Sequence, residues 1–172
     1  CANPGKTVVV GGGNTAMDCA RTALRLGGDV TVVYRRTQKE MPAEQLEVLE
    51  AMEEGVKFEF LTAPLSLKKN ADGKLALTCQ KMVLGEPDAS GRRSPVPQPG
   101  SDFDIACDTV IAAIGQRTVA PSEVNKDKRG NIVIGKDIRC ADGAVFAAGD
   151  CVTGPKTVVE AVAAGHNAAD AA

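Results

Sequence analysis

The chain has 172 residues, 44% of them apolar, with 20 Lys and Arg against 22 Asp and Glu for a formal charge of −2. That suits one globular core, or one core with an appendage. No apolar run approaches the ~20 residues that cross a bilayer and no charged-then-apolar leader stands at Cys1, so neither a membrane span nor a secretory signal is expected. The short basic pairs Arg35-Arg36, Lys68-Lys69 and Arg92-Arg93 offer no extended footprint for a nucleic-acid backbone.

Lys6-Thr7-Val8-Val9-Val10 is apolar on both faces, the pattern of a parallel strand covered by helices on both sides. It stops at Gly11-Gly12-Gly13. A helix is expected over 16–26, with Asp18, Arg21, Thr22 and Arg25 on one stripe and the small residues Ala16, Ala20, Ala23 and Gly27 on another. A second strand follows over 30–34. Strand, glycine turn, helix and strand thus fill about 30 residues. In that setting Gly11-x-Gly13-x-x-Ala16 fits the dinucleotide fingerprint G-x-G-x-x-G/A. Gly11 supplies the tight turn, Gly13 the close approach of a pyrophosphate, and Ala16 the close helix packing, with the helix N-terminus facing the phosphates.

The end of the second strand discriminates between dinucleotides. An NAD site places a carboxylate there for the ribose 2′-hydroxyl. Here the chain reads Tyr34-Arg35-Arg36, with no carboxylate before Glu40, which favours the 2′-phosphate of NADP(H).

Pro42 is expected to open a second amphipathic helix, with Leu46, Leu49, Met52 and Val56 inward and Glu44, Glu47, Glu50, Glu53 and Glu54 on a solvated face. Gly55 reads as its C-terminal cap and residues 57–61 as a third strand. An antiparallel meander is expected over about 63–108, with strands at 65–68, 75–84 and 103–107 and a turn at Asn70-Ala71-Asp72-Gly73. Residues 85–101, rich in Pro, Gly and Ser, read as a hairpin tip or loop without regular structure. Residues 109–114 return to the buried parallel pattern, and their carboxyl end should lie beside the first glycine turn. Beyond Gln116 come short strands at 131–134 and 145–148, Gly149-Asp150, and a helix over 157–172. The fold class is α/β: a Rossmann-like βαβαβ parallel sheet with an inserted meander and a C-terminal strand-helix segment.

Six cysteines, at 1, 19, 79, 107, 140 and 151, show no C-x-x-C spacing, so neither a disulfide framework nor a zinc site is signalled, and reduced thiols in a cytoplasmic protein fit best. His166 has no partner for metal or acid–base work and reads as an ordinary helical residue. The start at Cys1 instead of Met points to an excised piece of a longer chain.

Gly11-Gly12-Gly13-Asn14-Thr15-Ala16-Met17-Asp18, Val33-Tyr34-Arg35-Arg36, Glu40-Met41-Pro42-Ala43, Glu53-Glu54-Gly55-Val56 and the stretches 108–116 and 145–150 together resemble the glutamate synthase small (beta) subunit and related NADPH-dependent flavoprotein oxidoreductases. The resemblance implies an NADPH domain over 1–116, inserted in an FAD-binding domain whose returning segment is 117–172. Hydride would pass from NADPH to FAD and onward through iron–sulfur clusters. It implies that Gly11, Gly12, Gly13, Asn14, Thr15 and Ala16 surround the pyrophosphate, Arg35 and Arg36 bind the 2′-phosphate, and Gly115 lines the nicotinamide side. Asp150 would accept from the FAD ribityl chain, Gly149 would let the flavin approach, and the helix from Thr157 would face the isoalloxazine. The implied partners are the other half of the FAD domain and an iron–sulfur domain or subunit.

The pyridine nucleotide-disulfide reductases are more distant relatives, and their redox cysteine pair has no counterpart here. No catalytic side chain and no metal ligand is named, because the cofactors carry the hydride chemistry. The alternative is an NADP(H)-binding module without flavin or turnover. The apolar face of Val145, Phe146, Val158, Val159 and Val162 raises the expectation of a homodimer formed through the C-terminal segment.

Overall fold

The computed structural model describes residues 2–71, 73–87, 91, 93–140 and 144–172; Cys1, Asp72 and Arg92, named above, lie outside them. The chain divides at Ile114/Gly115 into two compact units.

The first unit is organised by a parallel sheet. β1 (Lys6–Val10) is followed by α1 (Asn14–Arg25), β2 (Asp29–Val33), α2 (Gln45–Glu53) and β3 (Lys57–Glu59). The sheet order is β3-β2-β1-β7, where β7 (Thr109–Ala112) pairs Thr7 with Thr109 and Val10 with Ala112. The β-branched runs expected to make strands do so, and Val8, Val9, Val30, Val32 and Val33 are almost wholly buried. Each such side chain contributes roughly 1.5–3 kcal/mol by leaving water.

The two faces of this sheet are covered differently. On one, Val9, Val30 and Val32 pack with Ala16, Met17, Ala20 and Ala23 of α1 and with Val48 and Ala51 of α2. On the other, Val8, Val10 and Val33 pack with Leu77, Cys79 and Cys107 of the meander. The expectation of helices on both faces is therefore corrected. An all-apolar strand demands an apolar cover and leaves open what supplies it.

α2 departs from its expected register. It begins at Gln45, not Pro42, because Ala43 N–H donates to Gly12 O at 3.0 Å and Glu44 N–H to Asn14 Oδ1 at 3.0 Å, which hold this segment out of the helix. The buried residues are Val48 and Ala51, whereas Leu46 and Leu49 are 68% and 48% exposed. Nor is the glutamate face merely solvated: Arg21 pairs with Glu50 at 3.0 Å and with Glu54 at 2.5 Å, and Arg25 with Glu54 at 2.8 Å, tying α1 to the end of α2. Glu47 turns one carboxylate oxygen, Oε2, inward. Gly55, at φ +105°, ends the helix as expected, its N–H donating to Met52 O at 3.0 Å.

The meander consists of β4 (Thr62–Lys69), β5 (Leu75–Pro87) and β6 (Arg93–Cys107), paired antiparallel in that order. Much of the stretch expected to be irregular is paired strand, with Met82 opposite Pro97, Val83 opposite Val96 and Leu84 opposite Pro95. Prolines are tolerated there because β6 is an edge strand, whose outer N–H groups need no ladder partner. Shifts of register between Gln80 and Met82 and between Leu84 and Pro87 mark bulges.

In the second unit Val124, Cys140 and Ala147 form a small core with Ile132, Ile134 and Val152 packed against it. The strands expected at 131–134 and 145–148 are reduced to the bridges Lys126–Ile132 and Arg139–Phe146, since each segment finds a partner for only one residue pair. Two helices follow, α3 (Asp150–Thr153) and α4 (Val158–Ala171). No residue of α4 is buried, and Val158 is 80% exposed.

The cover supplied by the meander is tested by paired truncations. Leu77, 3% exposed, lies opposite Leu67, 50% exposed. Leu77→Ala is expected to cost roughly 2–4 kcal/mol and Leu67→Ala less than about 1 kcal/mol in urea unfolding.

Candidate nucleotide-binding site

The glycine turn sits where β1 ends between its two neighbours. Gly11 N–H donates to Val33 O at 3.1 Å on one side, and Ala113 N–H to Val10 O at 2.8 Å on the other. Gly11 has φ +145°, and a Cβ there would lie 2.2 Å from Ala113 O. Only glycine satisfies both the dihedral and the space. Gly12 is excluded from carrying a side chain by a different neighbour, since a Cβ would fall 2.5 Å from the Tyr34 ring. Tyr34 is buried, and its hydroxyl donates to Glu40 O at 2.8 Å.

Gly13 differs from both. A Cβ there would meet only Pro42 Cγ, at 4.0 Å, so the folded chain alone does not require glycine at this position. It caps α1 in extended geometry, and its carbonyl accepts from Ala16 N–H at 2.9 Å and Met17 N–H at 3.3 Å. Asn14 and Thr15 are exposed, Ala16 is fully buried, and the first turn of α1 carries no acidic side chain. A helix start of this composition is an electropositive cradle for phosphate.

The segment over 40–44, expected to lead into the second helix at Pro42, packs instead against the glycine turn. The bonds Ala43 to Gly12 and Glu44 to Asn14 hold it against the glycine turn, while Glu40 O receives the Tyr34 hydroxyl. The signal in the sequence was the motif itself; the contacts are long-range and carry no local periodicity.

At the end of β2, Arg35 is exposed and Arg36 half-buried. Arg36 Nε–H donates to Arg93 O at 2.8 Å, a contact that nothing near residue 36 announces. Glu40, the first carboxylate after the arginines, folds back on the turn Gln38–Glu40. It accepts from Thr37 N–H at 3.1 Å and from the Thr37 hydroxyl. The Thr37 side-chain hydrogen bond holds the Glu40 carboxyl below its ordinary 4.5, outweighing a smaller opposing effect of burial.

The remaining candidates belong to the second unit. Gly115 has φ +91° and is its first residue. Gly149, at φ +71°, precedes α3, and a Cβ there would meet nothing within 4 Å. Asp150 Oδ1 accepts from Lys156 N–H at 3.2 Å. Thr157 caps α4 reciprocally with Glu160, its hydroxyl donating to Glu160 Oε2 at 2.8 Å and accepting from Glu160 N–H at 3.3 Å. Sequence reasoning missed Glu160, whose carboxylate offsets part of the positive end of α4. His166 is exposed on α4.

The thiols at 19, 79, 107, 140 and 151 are all free. Burial pushes the Cys79 thiol up to about 11, and raises that of Cys107 as well. Among the described residues no cluster of three His, Cys, Asp or Glu side chains could hold a metal ion, and no helix is long and apolar enough to cross a membrane.

This glycine turn, arginine-ended strand and inserted meander occur in a chain whose residues 2–165 match the model of the pyridine nucleotide-disulphide oxidoreductases, and the chain belongs to that family. It is 48% identical over 171 residues to the NADP(+)-dependent formate dehydrogenase subunit beta of Moorella thermoacetica, a match covering 96% of this chain and 24% of that protein. It is 41% identical over 176 residues to the glutamate synthase (NADPH) small chain of Escherichia coli, covering 96% of this chain and 37% of that one. The resemblance drawn from the motifs thus holds, and the chain spans between 24% and 37% of the length of these two relatives. In fold it is similar to Lactococcus lactis thioredoxin reductase, with a TM-score of 0.76 at 23% identity over 98% of this chain and 52% of that one.

Two measurements check the electrostatics. The folded Glu40 pKa lies below 4.5, so the stability this carboxylate lends is present above pH 4.5 and is lost as pH falls through the depressed value. Thr37→Ala is expected to return the Glu40 carboxyl titration, followed by carbon NMR, toward 4.5. Native protein treated with iodoacetamide near pH 8 is expected to leave Cys79 unmodified by mass spectrometry until urea is added, because a buried thiol that titrates at about 11 holds almost no thiolate near pH 8.

Proposed function

We propose that the unit ending at Ile114 is the NADPH-binding domain of a flavoprotein oxidoreductase that passes hydride from NADPH to FAD. The carrying observation is one edge of one sheet. There a glycine turn at the start of α1, without acidic side chains in the first turn, adjoins a second strand that leads directly into Arg35-Arg36. The open position at Gly13 fits a pyrophosphate, and the capture of Glu40 by Thr37 fits a 2′-phosphate, which a competing carboxylate would repel.

In this reading NADPH supplies the hydride and the protein supplies position and electrostatics. Gly11, Gly12 and Ala16 shape the turn, and Gly13, Asn14 and Thr15 present backbone to the pyrophosphate. Arg35 and Arg36 hold the 2′-phosphate with guanidinium forks. Gly115 is assigned to the nicotinamide side on the strength of the resemblance. Gly149, Asp150 and Thr157 are assigned to FAD, whose site is only partly present in this chain; Asp150 and the α4 start offer an acceptor and a helix terminus. The other half of the FAD domain, an iron–sulfur domain or subunit, and a second copy meeting Val158, Val159 and Val162 are the proposed partners. The names of the two relatives, both NADP(H) enzymes or their subunits, support the nucleotide assignment.

The test is a fluorescence titration with NADPH and with NADH, which the absence of tryptophan keeps free of protein background. NADPH is expected to bind at least about tenfold more tightly, roughly 1.4 kcal/mol, with the preference lost in Arg35→Ala/Arg36→Ala. Equal affinity for the two nucleotides would overturn the assignment. Oxidised-flavin absorption in the intact protein, bleached by NADPH, checks the hydride step; colourless protein that still prefers NADPH would reduce the reading to a nucleotide-binding module.

A further inference from the structure

Arg36 and Arg93 are distant in sequence and meet at the end of β2. Arg36 Nε–H donates to the Arg93 carbonyl at 2.8 Å, and the Arg36 carbonyl accepts from Leu61 N–H at 3.0 Å, so side chain and backbone are both held. Arg93 sends its own guanidinium across the hairpin. Its Nε–H donates to Gly85 O at 2.9 Å and its Nη2 to Leu84 O at 2.9 Å. These two carbonyls lie at the register shift between Leu84 and Pro87, where the ladder between β5 and β6 is interrupted and Pro87 faces Arg93. The Arg93 side chain therefore bridges a gap in the strand pairing, at the point that presents a carbonyl to Arg36.

A guanidinium is planar, with five N–H donors in fixed directions. A carbonyl that takes the Nε–H fixes the plane and leaves the two terminal nitrogens, the pair that engages phosphate oxygens, as the remaining donors. A long side chain held in this way loses less freedom when an anion arrives. The contact through Nε is one that lysine, with a single terminal ammonium, cannot reproduce.

We propose that Arg93 is a positioning residue for nucleotide selectivity: it staples the bulged end of the β5–β6 hairpin, and its carbonyl thereby sets the Arg36 guanidinium for a 2′-phosphate. The inference rests on the assignment of Arg36 to that phosphate. It adds a residue from the meander to a site otherwise built from β1, α1 and β2. The meander then does two things for the first unit, covering one face of the sheet and orienting one cation at its edge.

The experiment titrates the intact protein and its Arg93→Ala, Arg36→Ala and doubly substituted forms with NADPH and NADH. Arg93→Ala is expected to weaken NADPH roughly three- to tenfold and to leave NADH within about twofold. The double variant is expected to bind NADPH no more weakly than Arg36→Ala alone, the signature of one residue acting through the other. Equal weakening of both nucleotides, or losses that add in the double variant, would overturn the proposal. So would an unaltered preference in Arg93→Ala beside a lost one in Arg36→Ala. A preference that survives Arg36→Ala would instead remove the assignment of Arg36, and the proposal with it. If Arg93→Ala does not fold by circular dichroism, Arg93→Gln keeps an amide donor for the hairpin carbonyls without the charge. It is expected to show a smaller loss confined to NADPH, and an unchanged ratio of affinities would count as refutation.

Discussion

The backbone of Gly11, passing between Val33 and Ala113 with no room for a Cβ, is the constraint on which the first unit depends. It lets β1 end level with its neighbours and sends the chain directly into α1. The α1 start is thereby placed at the carboxyl edge of the sheet, where open α/β folds hold their ligands. The exclusion then spreads through contacts. Gly12 accepts the Tyr34 ring against its backbone, Tyr34 holds Glu40, and the segment after Glu40 returns to bond Gly12 and Asn14. One dihedral that L side chains rarely adopt is thus supported by a closed ring of neighbours, which is how a strained turn persists.

Most carboxylates of the first unit that carry a resolved partner are held by a cation or by backbone N–H. Glu40 is turned to Thr37, Glu50 and Glu54 to Arg21 and Arg25, and Asp108 to Lys6 N–H and Lys74. As isolated surface pairs these would contribute little to stability. At the edge itself the effect is one of subtraction: Glu40, the first carboxylate after the arginines, is committed to Thr37.

The parts of the fold legible in the sequence are those in which one residue type admits one conformation. Val8, Val9 and Val10 ending in three glycines could hardly be anything but a buried strand and its turn. Val30 through Val33 read the same way, whereas the equally apolar stretch expected to be a buried strand over 109–114 forms an edge strand over Thr109–Ala112 that is only half-buried, with Ile114 exposed beyond it. The register of α2 is not legible because Leu46, Val48, Leu49, Ala51 and Met52 permit more than one helical stripe. The choice among them is made by two hydrogen bonds to the glycine turn. The proline-bearing part of β6 is not legible either, because only its position at the sheet edge permits it. In the candidate site, Gly11, Gly13 and the arginines were visible as a pattern of spacing. The roles of Tyr34, residues 42–44 and Arg93 were not, since each depends on a partner brought in by tertiary structure; the pairs Thr37–Glu40 and Thr157–Glu160 are local capping boxes, and their T-x-x-E spacing was the signal that could have found them.

The meander has a consequence for how this unit assembles. β1 and β7 lie side by side, yet the chain between them must first run through β2, β3 and all three antiparallel strands. The antiparallel hairpins are local and close quickly, whereas the β1–β7 pairing carries the loop-closure entropy of nearly the whole unit. Because Leu77, Cys79 and Cys107 supply the apolar floor beneath Val8 and Val10, a preformed meander gives β7 a surface on which to dock. Seating the last strand also brings Ala113 against Gly11, so the glycine turn reaches its final shape only when the sheet closes. On this order of events, a chain caught before closure would already possess its hairpins while its glycine turn was still unshaped.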